Sequence, residues 1–147
     1  MIALSHLISI ALVLTMLHHG VSLQTMSKAF PKIQIKAAGF QAVNAVYTQK
    51  PQTVIPAGFD RTCRSMNWDT EQMWKQLTEK GRSWYEADNQ SYVYWNKGDG
   101  KWWIDGPSGA GVYIVKSNGE LPPRSGWVAL SSDYNPVPIV DILDGEL

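Results

Sequence analysis

WYEADNQSYVYWNKGDGKWW, running from Trp84 to Trp103, holds four Trp and three Tyr in twenty residues. Only two polar clusters interrupt it, Ala87–Gln90 and Asn96–Gly100. Aromatic residues at alternate positions between turn-forming residues predict consecutive β-hairpins. Over Gln90–Asn96, Tyr92 and Tyr94 share one face while Val93 and Trp95 share the other; over Lys101–Asp105, Trp102 and Ile104 oppose Trp103. Rings of this size supply most of the burial energy a small domain gathers. A sheet with aromatics on both faces does not easily hide all of them in a small domain. Tyr92, Tyr94, Trp95, Trp102 and Trp103 are therefore the candidate residues of an exposed ligand surface. The alternative is that core filling accounts for most of the seven Trp.

Outward from this stretch the β-period continues in both directions. Arg82–Ala87 predicts a strand before it. Val112–Lys116 and Gly126–Ser131 predict strands after it, separated by the loops Gly106–Gly111 and Ser117–Ser125. Pro136 and Pro138 confine the segment up to Ile142 to an edge strand or an extended strap. Upstream, Lys32-Ile33-Gln34-Ile35-Lys36 alternates strictly, which predicts an edge strand with lysines outward. Ala42–Thr48 predicts a second strand, with Val43, Ala45 and Tyr47 on one face.

Between these strands the period changes. Phe59, Cys63 and Met66 fall at i, i+4 and i+7, one face of a helix over Gly58–Met66. Asp69 as N-cap, Gln72 three residues on, the apolar stripe of Met73, Trp74 and Leu77, and Gly81 as the stop predict a second helix over Asp69–Lys80. The expected fold is mainly β (α+β): a small antiparallel β-sandwich or barrel with an inserted helical hairpin at about residues 58–80. It forms a single domain over 23–147, with the whole insertion at 51–81.

Several runs resemble a small Trp/Tyr-rich, repeat-type β-domain of microbial, algal and marine-invertebrate proteins. They are Gly39-Phe40-Gln41-Ala42-Val43-Asn44-Ala45-Val46-Tyr47, Tyr92-Val93-Tyr94-Trp95, Lys101-Trp102-Trp103-Ile104, Gly111-Val112-Tyr113-Ile114, Pro122-Pro123 and Gly126-Trp127. The resemblance covers residues 38–142 apart from the 51–81 insertion. The Asn-Gly of that pattern is here Asn44-Ala45, so a left-handed turn at that glycine does not carry over. The resemblance implies the fold and brings no catalytic residues with it.

Ile2–Leu17 is almost wholly apolar, and Gly20-Val21-Ser22 follows as a small-x-small cleavage signal. This reads as a signal peptide over 1–22, with an uncleaved anchor or a buried first helix as alternatives; a run of sixteen is short for a stable membrane span, which needs roughly twenty. Secretion to the extracellular space gives meaning to the sequon Asn89-Gln90-Ser91, which makes Asn89 the expected glycosylation site. The single cysteine, Cys63, excludes an internal disulfide framework and is expected to be buried, or else paired with another chain.

All three histidines, His6, His18 and His19, lie in the leader. A cleaved chain would hold no imidazole for Cys–His or Ser–His catalysis, nor for a zinc or copper site. Gly106–Gly111 lacks the spacing and Lys of a phosphate loop, and Asp99 has no calcium-loop context. Glu86, Asp88, Asp99 and Asp105 lie near the aromatics, where two carboxylates across a bond would make a glycosidase-like site, although Asp88 and Asp99 fit turn positions. No cofactor, metal or catalytic residue is expected. Net charge is zero, which argues against a nucleic-acid partner. Residues 28–82 carry nine Lys/Arg and four Asp/Glu, while 83–147 carry four and nine, which reads first as two solvated faces of opposite sign and, as the sharper alternative, as a dipole that would favour self-association. The leading expectation is a secreted, non-enzymatic module binding protein or carbohydrate through a Trp/Tyr-rich β surface. A secreted matrix or structural component comes second, and a small carboxylate-based hydrolase third.

Overall fold

Cross-strand register organises the molecule. In the computed structural model, which describes residues 31–143, Trp95 lies opposite Trp102 and Val93 opposite Ile104, and Trp102 in turn faces Val115. Eight strands follow from such pairings: β1 (Lys32–Lys36), β2 (Val46–Lys50), β3 (Trp84–Ala87), β4 (Tyr92–Asn96), β5 (Lys101–Asp105), β6 (Gly111–Lys116), β7 (Val128–Ala129) and β8 (Ile139–Leu143). They form one antiparallel sheet in the order β7-β6-β5-β4-β3-β2-β1-β8. The sheet is curled into a half-barrel, and β8 returns to pair with β1. Across the remaining gap the Val140 amide donates to the Arg124 carbonyl and Arg124 pairs with Asp141, which also takes an ion pair from Lys36 on the adjacent β1.

Alternation along each strand separates two cores. The inner face gathers Ile33, Ile35, Tyr47, Tyr85, Val93, Trp102, Ile104, Tyr113, Val115, Trp127 and Val140. Two helices cover the outer face of β3–β5: α1 (Ala57–Ser65) and α2 (Thr70–Leu77), both inserted between β2 and β3. Beneath them Phe59, Cys63, Trp74, Trp84, Tyr92 and Tyr94 form a second cluster. The Asp69 side chain accepts the Gln72 amide, as the capping pattern predicts.

Several boundaries differ from expectation. The sheet is single and curled, so the sandwich alternative gives way to a half-barrel. Lys32–Lys36 is not an edge strand, because β8 pairs along all of it; its lysines are exposed nonetheless. Of the second predicted strand, Ala42–Thr48, only Val46–Thr48 is extended (the strand runs on to Lys50), since Gln41–Val43 forms a 3-10 turn. There the Asn44 amide group holds the Ala38 backbone at both N–H and C=O. The second helix ends at Leu77, three residues before the expected Lys80. Its cap residue Thr78 returns a hydroxyl bond to the Trp74 carbonyl, and Gly81 takes its left-handed conformation beyond the helix. The predicted 1–22 signal peptide lies outside the described residues.

Candidate functional site

The five aromatic residues expected to line a ligand surface divide between the two cores. Tyr92 and Tyr94 project from the outer face of β4 and are 0% and 5% exposed beneath the helices. Trp102 is fully buried in the inner core, and its indole N–H is directed to the Gly119 carbonyl at 3.3 Å. Trp95 and Trp103 are half-buried: the Trp95 N–H donates to the Ser117 carbonyl at 2.8 Å, and the Trp103 N–H donates to Asp99 Oδ2 at 3.0 Å. A two-faced aromatic sheet is hidden here because each face has its own cover. Curling closes the inner face and the helical insertion covers the outer one.

Edge-to-face packing organises the outer cluster. Phe59 meets Trp74 at 4.9 Å between centroids, Trp74 meets Trp84 at 6.0 Å, and Trp84 meets Tyr92 at 6.4 Å. The indole nitrogens tie this cluster to the loop before α1. Trp74 donates to Gln52 O, and Trp84 lies within reach of both Pro51 O and Val54 O.

One row of the outer face carries the chemistry. The register places Thr48, Glu86, Tyr92 and Asp105 side by side on four adjacent strands. Asp105 is 5% exposed, and its Oδ1 has no hydrogen-bond partner; the Tyr92 hydroxyl is equally buried and equally unpartnered. Burial pushes the Asp105 carboxyl up to about 7; the Tyr92 hydroxyl on the neighbouring strand offsets part of this by its proximity, without a formed hydrogen bond. Burial and then the Asp105 charge raise Tyr92 far above the ordinary phenol range. Adjacent strands are about 4.8 Å apart, so Glu86 and Asp105 stand roughly two strand spacings apart with the Tyr92 ring between them. A buried acid under a helix does not face Glu86 across an open cleft, and the pair lacks the arrangement that glycoside hydrolysis requires.

At the open end of the half-barrel sits Arg82, which the sequence reading did not single out. Its guanidinium stacks 4.0 Å from the Trp95 ring, pairs with Glu79 and donates to the carbonyls of Asn118 and Gly119. A recess of about 550 Å³ opens beside it, lined by Gln49, Glu79, Lys80, Tyr85 and Glu120 among others. Every side-chain nitrogen of Arg82 already has a partner within the chain. A cation two residues before a strand of alternating aromatics was the available signal, but which ring it would stack on depends on the curl.

Asn89 is exposed in the β3–β4 turn. Its Nδ2 donates to the Ala42 carbonyl at 2.7 Å and its Oδ1 accepts the Ser91 amide, while the Ser91 hydroxyl is buried against the same carbonyl. Cys63 is buried and unpaired, and burial raises its thiol above the ordinary range. Among the described residues no group of three or more His, Cys, Asp and Glu side chains is placed to hold a metal ion, and no helix is long and apolar enough to cross a membrane. Compared with protein-family models, with curated proteins and with solved structures, the chain shows no significant match to any.

Proposed function

We propose that this chain is a secreted, non-catalytic structural domain that works through contacts of its outer surface with other macromolecules, copies of itself included. The observation that carries the reading is the disposition of the aromatic stretch: Tyr92, Tyr94 and Trp102 are buried, and the half-buried Trp95 and Trp103 have their indole nitrogens bonded within the chain. Aromatics so engaged give a rigid scaffold rather than a stacking platform for sugars. The apolar leader at Ile2–Leu17 and the sequon at Asn89 support secretion. The excess of positive charge over 28–82 and of negative charge over 83–147 supports self-association.

Sedimentation equilibrium of the mature chain at two ionic strengths tests this reading. Concentration-dependent assembly that weakens at high salt is the expected outcome, together with an empty glycan array. Glycan binding that is lost on Trp95→Ala or Trp103→Ala would return the aromatic surface to the leading place.

A further inference from the structure

The outer aromatic cluster is covered by a layer joined to the rest of the chain by two covalent connections and a small set of polar links, Arg61 to Gln90 and Pro107, Thr62 to Gly109, and Lys97 to the carbonyls of Leu77 and Lys75. The α1–α2 pair hangs between two connections, Pro51–Pro56 on one side and Glu79–Ser83 on the other. The second contains Gly81 at φ +86°, with nothing within 4 Å of where a Cβ would stand. On the sheet side α1 rests on the β5–β6 loop through a glycine–glycine contact: a Cβ on Gly109 would lie 2.2 Å from the Gly58 carbonyl oxygen. A Cβ on Gly58 would lie 2.9 Å from the Tyr92 ring. The closure is tight around Tyr92, and the two buried side-chain polar atoms without a partner among the described residues lie there, Asp105 Oδ1 and the Tyr92 hydroxyl.

We propose that Asp105 makes the α1–α2 layer a pH-sensitive lid: it stays seated while Asp105 is protonated and lifts more often once Asp105 ionises, baring Trp84, Tyr92 and Tyr94.

A buried carboxylic acid can be tolerated when neutral, but a carboxylate at the same place needs donors or water. The groups around it offer little help. β4 presents Tyr94 and Tyr92, whose hydroxyl favours the carboxylate but does not outweigh burial; β3 presents Glu86 beyond Tyr92, β2 presents Thr48 at the far end of the row, and β6 presents Gly111. α1 presents Cys63 to the cluster, while Arg61 is exposed and directs its terminal nitrogens to Gln90 Oε1 and the Pro107 carbonyl. Asp60 is engaged with Thr70 and Arg64. No cation in this list bonds Asp105. Lifting the lid admits water to the carboxylate, and so the open form takes the ionised acid. The acid has its ordinary affinity for protons when open and is raised to about 7 when closed. Opening therefore releases a proton between about pH 4 and 7, and the opening constant rises up to tenfold per pH unit over that window before levelling off above it.

Native-state hydrogen exchange of the α1 and α2 amides, corrected for intrinsic rates, tests this on the whole mature chain from pH 5 to 8. The expected wild-type result is an opening constant that climbs several-fold per unit up to about pH 7; in Asp105→Asn it is flat and low. Glu86→Gln should keep the wild-type slope. A flat wild-type profile overturns the proposal, and so does a slope that survives in Asp105→Asn or disappears in Glu86→Gln. Should Asp105→Asn fail to fold, the carboxyl carbon resonance of Asp105 in the unaltered protein decides instead. A midpoint near neutrality together with wild-type α1 and α2 exchange that climbs over the same range upholds the lid, and a midpoint near 4 or a flat exchange profile overturns it.

Discussion

Asp105 is a carboxyl group held 5% exposed on the outer face of β5, with Oδ1 lacking a hydrogen-bond partner. Its folded-state affinity for protons is raised from 3.8 to about 7, so the stability it contributes is full below about pH 4 and is lost as pH rises toward 7. At about 1.4 kcal/mol per unit, Asp105→Asn is expected to stabilise the protein by roughly 2–4 kcal/mol at pH 7.5 and by little at pH 4, read from urea midpoints at the two pH values. Asp105 lies two residues after Trp103 on β5 and shares its face. Its burial was not legible, because it depends on a helix that begins nearly fifty residues earlier in the chain. Gly109 shows a second residue-scale constraint. It holds φ +90° with the Gly58 carbonyl where its Cβ would be. Gly109→Ala should cost upward of about 2 kcal/mol, combining left-handed strain with overpacking. A thermal midpoint within a degree of wild type would show that α1 does not depend on this contact.

Among the elements, the helical insertion separates local from tertiary information most clearly. The Asp69–Gln72 cap was legible because a capping box is a purely local hydrogen-bond pattern. Asp69→Ala should cost about 1 kcal/mol, seen as a shift of the urea midpoint with an unchanged slope. The helix stop was not legible. Thr78 bonds Gln52 and Trp74, and the Leu77 carbonyl takes the Lys97 amide from the β4–β5 turn, so distant residues end the helix before Gly81 does. Trp74 is the element's anchor, fully buried among Phe59, Trp84 and Tyr94 with its N–H on Gln52. Its truncation to Ala should remove about 3–5 kcal/mol. The loss should appear first as faster exchange in α1 and α2, with the amides of β1 and β2 still protected.

For the molecule as a whole, two sets of carboxylates pull in opposite directions with pH. Asp60, through Thr70 and then Arg64, and Asp141, through Lys36 and then Arg124, are held below the usual carboxylate range. What they contribute is present above the unfolded-state value near 3.8 and is lost as pH falls below it. Asp105 contributes in the opposite sense, falling from about pH 4 to 7. The thermal midpoint should therefore peak in the acidic range, at about pH 4–5, and decline toward neutrality; scanning calorimetry across pH 3–8 checks it. Asp105→Asn should move that peak to higher pH, and a peak left in place would locate the neutral-range titration elsewhere.

The positions of most strands, the helix cap and the mainly β class were determined by the sequence by itself, because alternation, turn residues and capping are short-range properties of the chain. The tertiary structure alone decided that the sheet curls, that β8 turns β1 from an edge into an interior strand, and that the helices lie over the outer face of β3–β5. Those outcomes rest on which surfaces meet across the fold. They settle whether an aromatic residue faces water. In Trp84–Trp103, alternation assigns each ring to a face, and the curl and the helical layer then cover both faces.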